Sequence, residues 1–234
     1  MRGLFVSGTD TGVGKTFVAC ALARGLREAG IDLGVMKPVE TGVPATGAQD
    51  ALALREAAGV DDPLELVCPL RFALPAAPEA AARVEGRRAS LAPIREAFEE
   101  LCARHAFVLV EGAGGLLVPF DPDTTMADLA RELALPVLIV ARASLGTINH
   151  TRLTLEAMET RGLELLGVVV SHSTGEISPA DAENLDVLRR TLGARLIGEL
   201  PAIGGGAMPS AEATGLAALI DRIVATRSPS AEGS

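Results

Sequence analysis

A glycine-rich segment near the N-terminus has the composition of a loop that binds phosphate. It reads GTDTGVGKT from Gly8 to Thr16, follows a predicted strand and opens a predicted helix. Glycines let backbone N–H groups converge on phosphate oxygens, and the helix dipole adds positive charge. We therefore expect Lys15 to reach terminal phosphates and the Thr16 hydroxyl to ligate Mg²⁺. Five residues lie between Gly8 and Gly14, one more than in the common pattern. The alternative is a glycine-rich turn that carries Lys-Thr by chance.

A single carboxylate follows a run of four apolar residues that is typical of a buried strand. Glu111 ends the run FVLVE and is followed by the glycine-rich residues GAGG. Ligands of open α/β sheets bind at the carboxyl ends of the strands, which is where Glu111 is predicted to lie. We predict that Glu111 ligates Mg²⁺ or contacts one of its ligands. The alternative is that Glu111 only ends the strand and faces water.

A second lysine and a second carboxylate, Lys37 and Asp50, lie in the first third of the chain, as the phosphate loop does. Lys37 follows the apolar segment LGVM and begins KPVETG, so we expect it at the same sheet edge as Lys15 and Glu111. There a cation could face phosphates or an anionic substrate. Taken alone this signal is weak, because a lysine at a strand end is solvated more often than not. Asp50 precedes the apolar residues ALAL, and its position leaves two roles open, a helix N-cap and a metal ligand.

Several other kinds of site lack their sequence signals. No GxGxxG follows a strand and no GxSxG occurs, so dinucleotide binding and acyl transfer by a serine triad are not supported. The three histidines, His105, His150 and His172, lie near no nucleophile motif and lack metal-ligand spacing. We expect surface or helix-end positions for them.

Composition excludes further classes of function. The chain has 234 residues, 48% of them hydrophobic and 22% charged, with a formal net charge of −9. This balance favours one ordinary globular domain and gives no support to a nucleic-acid or membrane surface. Six Phe and no Trp or Tyr make ring stacking a minor means of recognition. Three dispersed cysteines indicate a reducing compartment, and no apolar run resembles a signal peptide or membrane span. We therefore expect a cytoplasmic protein.

The elements that must position these residues alternate between strand and helix patterns. This rhythm predicts an α/β fold, a single doubly wound, mostly parallel sheet of the P-loop NTPase type. The predicted strands are 4–7, 33–37, 107–111, 136–141, 165–171 and 195–198. The predicted helices are 16–29, 91–104, 126–133, 148–161 and 179–192. Four prolines are expected to break every element in 62–86, giving a surface excursion. We assign 1–225 to one domain and 226–234 to a mobile tail.

Five motifs in the same order resemble the dethiobiotin synthetase family, ATP-dependent enzymes of biotin biosynthesis. The motifs are GTDTGVGKT, KPVETG, DALAL, VEGAGG and LGTINH, and the resemblance runs from Leu4 to about Pro201. It implies a homodimer that converts 7,8-diaminononanoate, CO₂ and ATP to dethiobiotin with Mg²⁺, without nucleic-acid or membrane partners. It also implies a carbamate and a carbamic-phosphoric anhydride as intermediates, the second amine then closing the urea ring.

The same resemblance implies a role for each matching residue. Lys37 and Lys15 would be catalytic, and Thr16, Asp50 and Glu111 would surround Mg²⁺. Thr11, Lys37 and Thr41 would bind the substrate, whose carboxylate would reach Asn149 of the neighbouring subunit. The nucleotide would contact a larger set, which comprises Gly12, Val13, Gly14, Lys15, Thr16, Phe17, Asp50, Glu111, Gly112, Ala113, Gly114, Ser171, His172, Leu200, Pro201 and Ala202.

The base-binding end departs from the family pattern. Where the family often has Asn-Asp, this chain has Ser171-His172, whereas Gly198-Glu199-Leu200-Pro201 fits the family better. With no Trp or Tyr to stack on adenine, backbone groups and small side chains must hold the base. We therefore predict loose discrimination between nucleoside triphosphates.

Two other functions use a similar loop. Dimeric P-loop ATPases that act as positioning or partition switches require a lysine near the start of the loop, where this chain has Asp10. They also tend to carry a basic amphipathic element, whereas the predicted C-terminal helix has mixed charge. The second alternative is an amide-forming ligase of cofactor synthesis, for which the length leaves no room for an added glutaminase domain.

Overall fold

Short β-branched apolar runs form the strands of one central sheet. The computed structural model describes residues 1–172, 177–201 and 214–226. Within them the strands are β1 (Gly3–Gly8), β2 (Leu33–Met36), β3 (Val39–Thr41), β4 (Leu70–Phe72), β5 (Phe107–Glu111), β6 (Val137–Arg142), β7 (Leu165–Ser171) and β8 (Leu196–Leu200). Six of them form a parallel sheet in the order β2-β5-β1-β6-β7-β8, and β3 and β4 form a separate parallel pair.

Helices cover both faces of the central sheet. They are α1 (Lys15–Glu28), α2 (Gln49–Ala58), α3 (Leu64–Val67), α4 (Pro78–Val84), α5 (Leu91–Arg104), α6 (Met126–Glu132), α7 (Thr147–Thr160), α8 (Pro179–Leu192) and α9 (Ala217–Ala225), with a 3₁₀ turn at Gly193–Arg195. Among the described residues, no helix is long and apolar enough to cross a membrane. The predicted α/β class with a mostly parallel sheet is confirmed.

Alternating residues of the central strands serve two separate cores. On β1, Leu4 and Val6 pack with α1, whereas Phe5 packs with α5 on the opposite face. All three side chains are fully buried. Because both faces of the strand are covered, its sequence is a continuous apolar run rather than an alternating one.

Helix ends follow the boundary signals in the sequence. Gly30 and Gly162 follow α1 and α7 with positive φ of 79° and 64°, a backbone conformation that glycine adopts without strain. Ser178 caps α8 by accepting a hydrogen bond from the Asp181 N–H (3.1 Å), and Pro179 occupies the first turn.

The proline-rich segment 62–86 differs from its prediction. It contains α3, β4 and α4, so the expectation that proline breaks every element was wrong. Pro63 precedes α3 and Pro78 begins α4, both positions where the missing N–H costs no helical hydrogen bond. Val67 and Phe72 are buried in the cores. The predicted tail, apart from Thr226, lies outside the described residues.

Candidate active site

The phosphate-binding segment forms a tight loop between β1 and α1. Gly12 and Gly14 adopt positive φ of 72° and 91°, and Gly14 directly precedes the helix. These conformations turn the backbone so that the N-terminus of α1 faces the loop. The Lys15 ammonium donates to the Asp10 carbonyl oxygen at 3.0 Å. The loop therefore presents amides, a helix N-terminus and a lysine at one end of β1.

Lys37 bridges two carboxylates beside this loop. Its Nζ donates to Glu111 Oε1 at 2.6 Å and to Asp50 Oδ2 at 2.8 Å. The lysine is 3% exposed and Glu111 is fully buried. The alternative in which Glu111 faces water is therefore wrong. Adjacent parallel strands β2 and β5 end at this edge, which explains how distant residues meet.

The Thr16 hydroxyl contacts the same carboxylate, Glu111, through one of its two oxygens. It donates to Glu111 Oε1 at 2.8 Å, the oxygen that Lys37 also contacts. Glu111 Oε2 is buried and has no hydrogen-bond partner in the described structure. A buried carboxylate oxygen without a partner is costly, and a cation at this point would satisfy it.

Oxygen donors around that atom suit Mg²⁺. The Thr16 hydroxyl and the Asp50 and Glu111 carboxylates are the ligand type that Mg²⁺ prefers, and they would hold the ion together with substrate phosphates and water. No cluster of three or more His, Cys, Asp or Glu that could hold a metal ion occurs in the described part of the chain. That composition fits a phosphate-dependent magnesium site better than an all-protein cage.

The two lysines differ in protonation behaviour. Burial, and next the charge of Lys37, lower the pKa of Lys15 to about 8. Burial also acts to lower the pKa of Lys37, but the charges of Glu111 and Asp50 outweigh it and raise that pKa. Lys37 is therefore protonated at neutral pH.

Asp50 lies at the start of helix α2, whose first residue was not predicted from the sequence. It lies in the first turn of α2, and Ala48 occupies the N-cap position, so the N-cap role for Asp50 was wrong. Glu40 of β3 instead accepts hydrogen bonds from the Asp50 and Ala51 backbone N–H groups, at 3.2 and 3.0 Å. Burial raises the pKa of Glu40.

A cleft of about 580 Å³ contains most of the predicted site residues. Twelve of them line it, and they are Thr11, Gly12, Gly14, Lys15, Thr16, Phe17, Lys37, Thr41, Asp50, Glu111, Ala113 and Gly114. Sequence reasoning missed four further lining residues, Cys20, Val39, Glu40 and Ala53. Only Glu40 carried a usable signal, as an acidic residue within a short apolar segment directly after Lys37 and Pro38.

Two predicted nucleotide residues lie beneath the cleft rather than in it. The Val13 side chain is fully buried in the core that α1 covers. Gly112 packs against Phe5, whose Cε1 would lie 2.8 Å from an added Cβ. These two residues shape the loops that surround the cleft.

The predicted base-binding residues form a separate group at the ends of β7 and β8. The His172 N–H donates to the Leu200 carbonyl at 3.0 Å, and Ser171 pairs with Leu200 in the sheet. His172 Nε2 lies 3.6 Å from Glu199 Oε2. Pro201 follows β8, and Ala202 lies outside the described residues. None of the described members of this group lines the 580 Å³ cleft.

Asn149 lies in a second cavity of about 440 Å³ at the start of α7. Gly146 precedes the helix with φ of 90°, and the buried Thr147 hydroxyl has no hydrogen-bond partner in the described structure. Leu145 and Leu153 line this cavity and are 75% and 56% exposed. Within one chain, the structure does not bring Asn149 into the cleft that holds Lys37.

Comparisons of the sequence with known proteins identify its relatives. Residues 2–205 match the model of a family described as an AAA domain. The chain is 59% identical to the ATP-dependent dethiobiotin synthetase of Anaeromyxobacter dehalogenans, over 77% of this chain and 81% of the relative. It is 42% identical to that of Aquifex aeolicus, over 92% and 95%.

Solved structures show the same fold at low sequence identity. The MinD cell division protein of Aquifex aeolicus superposes with a TM-score of 0.57 at 14% identity, over 98% of this chain and 99% of that one. A ParA family ATPase of Chlorobium tepidum gives 0.54 at 14% identity, over 96% and 99%. These neighbours confirm the P-loop NTPase fold.

Proposed function

Since this chain belongs to the ATP-dependent dethiobiotin synthetase family, we propose that its 580 Å³ cleft is the active site of that reaction. The protein is a ligase of biotin biosynthesis that forms carbon–nitrogen bonds. Its substrates are small molecules, here 7,8-diaminononanoate, CO₂ and ATP. The products are dethiobiotin, ADP and phosphate.

The reaction proceeds in three steps. One substrate amine bonds to the carbon of CO₂ and releases a proton, which gives a carbamate. A carbamate oxygen then bonds to the γ-phosphorus of ATP while the bond to the β,γ-bridging oxygen breaks, and ADP leaves. The second amine bonds to the carbamate carbon, the carbon–oxygen bond to phosphate breaks, and its proton passes to solvent. Because that amine belongs to the same molecule, ring closure depends mainly on positioning.

One observation carries the assignment of catalytic residues. Lys37 is a buried cation held between Glu111 and Asp50 at 2.6 and 2.8 Å, next to the phosphate loop. Negative charge builds up on the carbamate and on the transferring phosphoryl group, and fixed cations stabilise such charge by several kcal/mol each (~3 kcal/mol). Lys37 and Lys15 supply those charges, and the loop amides orient the phosphates.

Thr16, Asp50 and Glu111 would hold Mg²⁺, which the unpartnered Glu111 Oε2 supports. When bound, the ion would neutralise charge on the β- and γ-phosphates. Thr11 and Thr41 line the cleft near Lys37 and would contact the diamine. Ser171, His172, Leu200, Pro201 and Ala202 would face the base, and Gly112 and Val13 would shape the nucleotide loops.

A homodimer would complete the substrate site. Asn149 lies in its own cavity on each chain, together with the exposed side chains of Leu145 and Leu153. Exposed apolar side chains around a recognition residue support a subunit interface there. In the dimer, Asn149 and the N-terminus of α7 would receive the substrate carboxylate from the neighbouring chain.

The extent of the domain and the location of the protein complete the proposal. Leu219 and Ile223 of α9 pack into the same core as Leu4 of β1, which supports one catalytic domain over 1–225. The three cysteines are free, which supports a cytoplasmic location.

One incubation tests the function. The protein is mixed with ATP, Mg²⁺, bicarbonate and the diamino acid, and ADP and the cyclic urea are measured together. We expect ADP release that requires the diamine and matches the urea formed. ADP release that ignores the diamine but responds to DNA, lipid or a partner protein would overturn the assignment.

A further inference from the structure

Helix α2 starts without a side-chain cap of its own. Ala48 occupies the N-cap position and makes no side-chain hydrogen bond. The first N–H groups of a helix need partners, and a carboxylate beside them also interacts favourably with the helix dipole. Here that carboxylate comes from another element, because Glu40 Oε1 accepts from the Asp50 N–H at 3.2 Å and Oε2 from the Ala51 N–H at 3.0 Å.

Glu40 is itself held firmly in place. It is the middle residue of β3, where it pairs with Arg71 of β4 while the preceding Val39 pairs with Leu70. The Glu40 residue is 6% exposed and Val39 is fully buried. The hydrogen bonds of the Glu40 carboxylate therefore fix the start of α2 relative to the small β3–β4 sheet.

Asp50 depends on this attachment more than the other residues of the cluster. Its side chain is 40% exposed, against 0% for Glu111, and the residue follows the connecting loop 42–48. The Asp50 N–H is one of the two groups that Glu40 binds, so the carboxylate of Asp50 is placed through its own backbone. A displacement of about 1 Å at a reacting group can cost on the order of 100-fold in rate.

We infer that Glu40 is a positioning residue, which sets the Asp50 carboxylate at the distance that Lys37 and a divalent cation require. Among the described residues, no hydrogen bond or ion pair joins Glu40 to Lys37, so Glu40 acts through Asp50. This inference rests on the proposed function, in which Asp50 is a ligand of Mg²⁺.

The test measures binding of Mn²⁺, a paramagnetic substitute for Mg²⁺, in the presence of ADP by electron paramagnetic resonance. Glu40→Gln keeps the side-chain shape and removes the charge, and Glu40→Asp keeps the charge on a shorter arm. Glu56→Gln is the matched control, since Glu56 is an exposed residue of the same helix. We expect E40Q to weaken Mn²⁺ binding by roughly 10- to 100-fold, the usual range for groups that orient a metal ligand. E40D should fall between E40Q and the wild type, and E56Q should match the wild type.

A double-mutant cycle with Asp50→Asn separates positioning from general destabilisation. If Glu40 acts through Asp50, adding E40Q to D50N should leave the Mn²⁺ affinity of D50N unchanged. Additive losses, or E40Q and E40D both binding Mn²⁺ as E56Q does, would overturn the inference. Failure of D50N itself to weaken Mn²⁺ binding would instead overturn the proposed metal site. Thermal unfolding of each variant identifies any that fail to fold. If E40Q fails to fold, the Mn²⁺ affinity of E40D is compared with that of the wild type instead.

Discussion

Replacement of Lys37 by alanine should separate catalysis from nucleotide binding. The substitution removes the buried cation that contacts Glu111 and Asp50 but leaves Lys15 and the phosphate loop in place. Loss of one fixed charge at a developing anion typically costs about 10²- to 10³-fold in turnover. We expect dethiobiotin formation to fall by at least that factor, while ATP affinity changes little.

The same substitution should destabilise the protein without added metal. Glu111 is fully buried, and after the change the Thr16 hydroxyl, at 2.8 Å, is the one hydrogen-bond partner that its carboxylate keeps among the described residues. Removal of one partner from a buried ion pair costs about 3–5 kcal/mol, and the half-exposed Asp50 favours the lower end because water can solvate it. For a chain of this length about 3 kcal/mol corresponds to a fall in Tm of roughly 6–12 °C. Addition of Mg²⁺ should raise the Tm of the variant by more than it raises the Tm of the wild type.

Three measurements check this reasoning. Mass spectrometry quantifies dethiobiotin, calorimetry gives the ATP dissociation constant, and thermal unfolding is followed with and without Mg²⁺. Lys37→Met, which keeps most of the aliphatic volume, separates loss of charge from loss of packing. Near-normal turnover of the alanine variant would refute the catalytic role of Lys37. An unchanged Tm would refute the argument from the buried pair, and equal losses of turnover and ATP affinity would assign Lys37 to nucleotide binding.

Three further predictions concern titration and nucleotide choice. The chain contains only two lysines, so ¹³C NMR of protein labelled biosynthetically at the lysine ε-carbon should show Lys15 titrating near pH 8 and Lys37 remaining protonated there. Two lysines titrating together would contradict this. Burial lowers the pKa of His105, but hydrogen bonds to Asp32 and Asp62 outweigh it and raise that pKa. Its stabilising contribution is therefore complete below about pH 6.5 and lost as pH rises through the raised value, and unfolding of His105→Asn should lack this pH dependence. The absence of Trp and Tyr predicts comparable turnover with other nucleoside triphosphates, and a large preference for ATP in a competition assay would count against it.

The sequence was informative where function depends on local pattern. The phosphate loop, Lys37 and Glu111 each lie at the end of an apolar strand, and parallel strands bring such ends to one sheet edge. Their meeting in space therefore follows from topology that the alternation of strands and helices already predicts. The bounds of β5 and β7 agree with their predicted ranges for the same reason.

The role of Asp50 could not be predicted in this way. Its backbone partner, Glu40, lies on a three-residue strand that pairs with another three-residue strand within a proline-rich region. Strands this short have no periodicity to detect, and the flanking prolines favour loops. The residues alone therefore left the N-cap and metal-ligand roles of Asp50 open. The start of α2 after Ala48 excludes the N-cap role, and the contact with Lys37 places the Asp50 carboxylate in the cleft.

Charge in the cleft explains how an acidic chain can bind a triphosphate. Both lysines of the chain line this cleft, whereas no arginine of the described residues does. Three carboxylates, Glu40, Asp50 and Glu111, line the same cleft, so the two lysines alone do not make it cationic. A divalent cation would reverse that balance, which supports the proposed Mg²⁺. Without the cation, the same carboxylates favour a positively charged diamine, so one set of side chains suits both substrates.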